Sequence, residues 1–255
     1  MAVLGVKDNT LPQISLTQSQ TFVMPQDGNV CIHVIGAGGS GTSNTGQAFS
    51  GAAGGYCKKN SLAVTKGGSF TVVVGVGGPR GSGTSDGGNS TVAGPGLSAT
   101  LTANGGDGGK SSGNAGGTAA NGDVNNTGGV GLTGDRGGGG AVGIYGTGAA
   151  GIQYKQGGDS DAQGGESGFG HIGGGGKGGI MAYAYNGNST FENGNSLDAS
   201  GPFAGGGAIE ANSATSSMCG GNGGTGGGGG GCRNNGIRTS GAGGDGLVLI
   251  QYLPS

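Results

Sequence analysis

The residues with the chemistry for catalysis or metal binding are few: two histidines, four cysteines and one acidic cluster. A nucleophilic site needs a nucleophile, a base within hydrogen-bond reach and a third group to orient that base. His33 falls inside the alternating run Asn29–Ile35 and reads as part of a buried strand, while His171 sits in a glycine cluster. Asp159, Asp161 and Glu166 could offer Ca²⁺ several carboxylate oxygens. Their spacing matches neither an EF-hand loop nor the calcium-binding nonapeptide repeat, so a solvated loop is expected instead. Cys31, Cys57, Cys219 and Cys232 are too widely spaced for a zinc knuckle or ribbon. Four reduced thiols are expected, with a Cys219–Cys232 disulfide as the alternative. The chain is therefore expected to be no enzyme, with no catalytic residue, no cofactor and no metal.

Two glycine motifs imitate phosphate-binding loops. Gly36-Ala-Gly-Gly-Ser-Gly41 follows a strand-like run and fits G-x-G-x-x-G, but a dinucleotide site also needs a following helix. The next ten residues, Thr42 to Gly51, cannot form a stable one. Asn104-Gly-Gly-Asp-Gly-Gly-Lys110 resembles a P-loop, with asparagine where its first glycine should stand and no helix after it. Neither motif predicts a nucleotide.

Aromatic side chains dominate binding hot spots, and here they stand in the spacers between glycine clusters. Tyr145, Tyr154, His171, Tyr183, Tyr185 and Phe191 are the candidate contact residues for a binding partner. Phe169 and Phe203 are flanked closely by glycine and are expected to pack as a sparse core.

What holds such residues in place must be unusual. The chain has 74 glycines in 255 residues, no tryptophan, 9% charged residues and a net charge of −2. That charge gives no electrostatic argument for nucleic acid or anionic membrane. No stretch reaches the ~18 apolar residues of a membrane span, and Met1–Asp8 lacks a charged and apolar leader pattern. Synthesis in the cytoplasm, without membrane insertion, is expected.

Residues 1–19 read as an N-terminal arm or attachment segment, followed by a β-region over 20–103 that a strand at 246–253 completes. Phe70, Val72, Val74 and Val76 are expected on one face of a strand, and Leu97–Ala103 in another. From 104 to 245 the text becomes glycine clusters separated by polar or aromatic spacers, with no fixed repeat period. Glycine readily takes an extended left-handed helix of three residues per turn. Many side by side can satisfy each other's backbone groups, provided no Cβ intervenes. The expected fold class is thus mainly β plus polyglycine II: a small antiparallel β-region closed by the C-terminal strand, a body of packed left-handed polyglycine helices, and almost no α-helix.

The ordered set Thr21-Phe-Val-Met-Pro25, Val30–Gly39, Gly54-Gly-Tyr-Cys57, Ser69–Gly78, Gly87-Gly-Asn-Ser-Thr91 and Gly243–Tyr252 resembles the glycine-rich domain of bacteriophage tail-fibre and tail-tip proteins. The body is similar to the tail-tip adhesins of T-even-like phages, in which packed polyglycine helices display variable loops. The resemblance implies a virion protein of the phage tail that recognises a bacterial surface receptor, an outer-membrane protein or a surface glycan. It also implies attachment to other tail or fibre proteins through the N-terminal arm or the β end. Those adhesins carry a larger N-terminal docking domain, whereas only about 20 residues precede the β-region here. The alternative expectation is a structural baseplate, tail or capsid-decoration component without receptor contact.

Overall fold

Alternation of apolar and polar residues builds the first half of the molecule. The computed structural model describes residues 13–44, 49–81, 83–133, 138–140, 148, 150–156, 159–163, 209–210, 220–233 and 240–254. Its strands are β1 (Gln13–Leu16), β2 (Gln20–Val23), β3 (Gly28–Ile35), β4 (Ser43–Asn44), β5 (Tyr56–Val64), β6 (Ser69–Val73), β7 (Ser90–Ala93) and β8 (Leu101–Ala103). They continue with β9 (Ala119–Ala120), β10 (Val124–Asn126), β11 (Ile152–Gln156), β12 (Asp159–Gln163), β13 (Ile209–Glu210), β14 (Cys232–Arg233) and β15 (Leu247–Tyr252). No helix occurs among the described residues.

Two antiparallel five-stranded sheets form a sandwich, one in the order β1-β15-β3-β5-β10 and the other β2-β6-β7-β8-β9. Val30, Ile32 and Val34 of β3 and Val248 and Ile250 of β15 face Phe70, Val72, Val92 and Leu101 across the interior. Each fully buried side chain of this kind stabilises by about 1.5–3 kcal/mol, so this small core carries the sandwich. Cys57 and Leu62 both join that core, although an odd number of positions separates them on β5. A bulge reconciles them: Val30 pairs with Leu62 but Ile32 with Lys59, leaving one extra residue on β5. β5 turns into β6 through Gly67, whose φ of 83° suits glycine, and the Gly68 amide closes the turn on the Thr65 carbonyl. β15 ends with Tyr252, whose hydroxyl donates to the Gln26 carbonyl at 3.1 Å. The C-terminal strand lies between β1 and β3, so chain ends and middle share one sheet.

Where the strands run out of the sandwich, their continuations hydrogen-bond in a different way. The amides of Gly36, Gly39 and Thr42 donate to the carbonyls of Gly55, Ala52 and Phe49. Those of Ala37 and Ser40 go to Gly88 and Ser85, and those of Gly38 and Gly41 to Gly244 and Gly241. Every third amide thus meets the same neighbour, three positions further along it, and successive amides meet different neighbours. Carbonyls do likewise: Ala37 and Ser40 accept from Gly106 and Gly109, Gly38 from Gly78, and Gly39 from Gly229. Segment 36–42 is therefore enclosed by 49–55, 85–88, 241–244, 104–109, 75–78 and 226–230. Segment 49–55 repeats the pattern, donating to 129–132, 226–229 and 104–107 in rotation.

This period of three is what three residues per turn would give, whereas a β-strand alternates with period two. At the glycines of these segments the packing leaves no room for a side chain. A Cβ on Gly38 would stand 1.9 Å from the Gly227 carbonyl oxygen, and one on Gly41 2.1 Å from that of Gly230.

Four features differ from the sequence-based expectation. The array takes 36–42, 49–55, 75–78 and 85–88 from before residue 104, so it is interleaved with the sheets rather than confined to 104–245. The chain enters the sandwich at Gln13, inside the stretch expected to be an arm, because β1 pairs with β15. Val76 is 73% exposed while Phe70, Val72 and Val74 are buried. Pleating ends at Val73, and beyond it side chains no longer alternate between two faces. Leu97 lies in a turn whose amide donates to Gly94, and β8 starts only at Leu101.

Candidate functional site

The hydrogen-bonded array positions whatever the chain presents beyond it. Gly148 and Gly151 dock on it, their amides reaching the carbonyls of Thr127 and Val130, again three positions apart on each side. At Ile152 the backbone leaves the array as the β11–β12 hairpin, with Tyr154 in register with Asp161 and Gln156 with Asp159. The described array resumes at Gly220. Of the candidate receptor-binding residues, the structure places only the backbone of Tyr154, in the middle of β11. Tyr145, His171, Tyr183, Tyr185 and Phe191 lie outside the described residues, as do Glu166, Phe169 and Phe203. The sequence-based acidic cluster is split accordingly: Asp159 and Asp161 sit in a hairpin strand. Among the described residues no group of three or more histidine, cysteine, aspartate or glutamate side chains could hold a metal ion.

Polar side chains close the array where other backbone amides take a side-chain acceptor in place of a carbonyl. Asn89 Oδ1 accepts from Gly105, and Asp86 Oδ1 from Gly108, one period later on the same segment. Asp245 Oδ1 accepts from Gly77, Asn222 Oδ1 from Ala242, Ser50 Oγ from Gly231 and Ser90 Oγ from Gly75. These residues explain the asparagine, aspartate and serine scattered through the glycine text: an unpaired amide is costly, and a short side-chain acceptor fits where a second backbone does not. Lys110, the P-loop mimic, pairs with Asp86 at 2.9 Å and with Asp107 at 3.8 Å. Hydrogen bonds from Gly108 and then Lys110 hold the Asp86 carboxyl below the usual carboxylate range.

One cluster was not foreseen. On the face of β3 away from the core, His33 Nε2 lies 3.2 Å from Cys31 Sγ and Nδ1 lies 2.7 Å from the Tyr56 hydroxyl. Tyr56 is fully buried and Cys31 is 4% exposed. A thiol, an imidazole and a phenol in series have the composition of an activated nucleophile, but the protonation states are wrong for one. Burial, helped by the nearby Lys58 charge, lowers the His33 pKa to about 4. Burial also raises the Cys31 thiol, with Lys58 opposing, and raises the Tyr56 phenol, with Cys31 and Cys57 adding to the rise. All three groups are neutral near pH 7, and no thiolate–imidazolium pair forms. Alternation places Cys31 and His33 on one face of β3, but pairing Ile35 with Tyr56, which brings the phenol beside His33, is a matter of register that the sequence does not declare. The other described thiol, Cys57, faces the core and donates to the Ala120 carbonyl at 3.3 Å, and burial raises its pKa to about 11. Cys31 and Cys57 are both free.

No curated protein matches this sequence. A family model described as a glycine-rich domain matches residues 15–253, from the middle of β1 to just past β15, and so takes in sandwich and array together. The chain accordingly belongs to that glycine-rich domain family.

Proposed function

We propose that this chain is a bacteriophage tail adhesin, a receptor-binding tail-fibre or tail-tip protein that recognises the bacterial surface without chemistry. The observation that carries the reading is the array around segment 36–42, bonded on every side through its own backbone, with the β11–β12 hairpin rising from it at Gly151. A scaffold of that kind suits recognition, because loops fixed on a rigid body lose little further entropy on binding. The three-residue rotation of its hydrogen bonds supports packed left-handed polyglycine helices as the conformation of the body. The ordered motifs from Thr21 to Tyr252 support the phage assignment. In this reading the protein resides in the tail of the virion, and its partners are a surface protein or glycan of the host and neighbouring tail or fibre proteins. Tyr145, Tyr154, His171, Tyr183, Tyr185 and Phe191 supply the contacts.

Adsorption competition tests it. Purified protein is added to host cells before phage, beside a variant whose 180–203 spacer is shortened. Blocking by the parent protein alone supports the adhesin and locates binding on that spacer; blocking by both keeps the adhesin and moves the site to other spacers. Folded protein that neither binds cells nor slows adsorption would return the chain to a structural role in the particle.

A further inference from the structure

The two sides of the sandwich differ among the described residues. Among the described residues β1 pairs only with β15, and β2 only with β6, so each is the edge of its described sheet. Residues 17–19 join them, and three residues reach only ~10 Å. A five-stranded sheet is roughly 19 Å wide at ~4.8 Å per strand spacing. The two free edges therefore flank the same side. On the far side, β9 and β10 are two and three residues long, Asp123 is paired with Lys59, and the Asn125 amide folds back on the Gly122 peptide. Short strands and charge are how sheets prevent edge-to-edge pairing.

The β1–β2 side has a different character. From Gln13 to Val23 there is no charged residue and no proline. Ile14 on β1 and Phe22 on β2 pack against the core yet stay only partly covered, and Val23 is 53% exposed. Among the described residues, no strand pairs with the outer side of β1 or β2 and the core between them is only partly covered.

We infer that this side is a self-association surface, on which β1 and β2 of a second copy of the chain pair antiparallel about a two-fold axis. The strand that such an edge accepts must be uncharged, with apolar residues at alternate positions to cover Ile14 and Phe22. β1 is itself that strand, with Ile14 and Leu16 turned inward and Gln13 and Ser15 exposed. A two-fold axis perpendicular to both sheets joins β1 to its copy and β2 to its copy at once, and unites the four half-covered side chains in one interior. Such an isologous contact closes on itself and stops at two. A net charge of −2 opposes it little. This inference is independent of the adhesin reading.

Light scattering on the eluting intact protein, from micromolar concentration upward, tests the pairing. The expected mass is twice the 23.7 kDa of one chain. Ser15→Lys combined with Thr21→Lys puts a cation on each exposed edge and should halve that mass while the chain still unfolds in one cooperative transition. Thr71→Lys, exposed on β6 one strand further in, should leave the mass doubled. Hydrogen exchange on the unaltered chain gives a second reading: the amides of 13–23 should gain protection as concentration rises. A single-chain mass at every concentration, or amides of 13–23 indifferent to concentration, would overturn the inference. So would a dimer that survives the edge cations.

Discussion

The Nδ1 atom of His33 and the hydroxyl of Tyr56 stand 2.7 Å apart on neighbouring strands, and burial keeps the imidazole neutral between that hydroxyl and the Cys31 thiol. The folded-state pKa of about 4 lies below the ordinary histidine value of 6.5, so between those values the unfolded chain binds the extra proton. The contribution of His33 is therefore fully present above pH 6.5 and is lost as pH falls toward 4. The difference corresponds to roughly 3 kcal/mol. Urea unfolding should show this acid limb between pH 7 and 4.5, above the range where Asp86 and Asp123, whose pKa values are lowered, begin to contribute. His33→Gln, which keeps a hydrogen-bonding side chain and does not titrate, should flatten it; an unaltered slope would assign the acid sensitivity elsewhere.

Glycine positions should separate into two classes by one criterion, the space a Cβ would enter. Gly38→Ala drives a methyl group against the Gly227 carbonyl and should cost about 3 kcal/mol or more, enough to abolish folding of a marginal chain. Gly83 has nothing within 4 Å of a Cβ, so Gly83→Ala should be neutral or stabilise by about 0.5 kcal/mol through the unfolded state. Thermal unfolding of the two variants decides the matter, and equal melting temperatures would contradict the packing described.

Ser90 is fully buried, and its Oγ receives the Gly75 amide where β6 passes into the array. Ser90→Ala leaves that amide without its acceptor and should cost about 1–3 kcal/mol. Ser69→Ala, at an exposed position of β6, should stay within about 0.5 kcal/mol of the parent. Faster hydrogen exchange at Gly75 in the first variant alone would localise the effect.

Cys31 and Cys57 should resist alkylation in the native protein at pH 8, because both are buried and burial raises both thiols. Peptide mapping after a timed pulse of iodoacetamide should find them unmodified until denaturant is added. Rapid native labelling of Cys57 would mean that the sandwich opens near β8 and β9 far more often than its core implies.

The sequence carried the sandwich more completely than the array. Val30, Ile32 and Val34 announce a strand through their period, and Leu247–Tyr252 announces its closing partner, since hydrophobic alternation is a local signal. β1 escaped because Gln13-Ile-Ser-Leu16 is too short to display a period. The array was legible as a kind of material, through the ban on Cβ atoms, but not as a connectivity. Nothing in Gly36–Gly41 says that its amides go in turn to residues near 52, 86 and 243, because glycine carries no side chain to encode a partner. The polar caps hold that information instead: Asn89, Asp86 and Asp245 mark where segments end a row. The His33–Tyr56 pair depended on strand register, and so appeared only with the fold.

An interior made of peptide groups responds to temperature differently from one made of hydrocarbon. Exposing apolar surface raises the heat capacity on unfolding, and exposing polar surface lowers it. The array around 36–41 and 50–55 consists of backbone and small side chains such as Ala52, Ala53, Ser40 and Ser50, so its melting releases much of the second kind and little of the first. The stability curve of this protein should therefore be flatter than that of an ordinary domain of 255 residues, with weak cold destabilisation and slow loss on warming. The core between the two sheets supplies most of the curvature that remains.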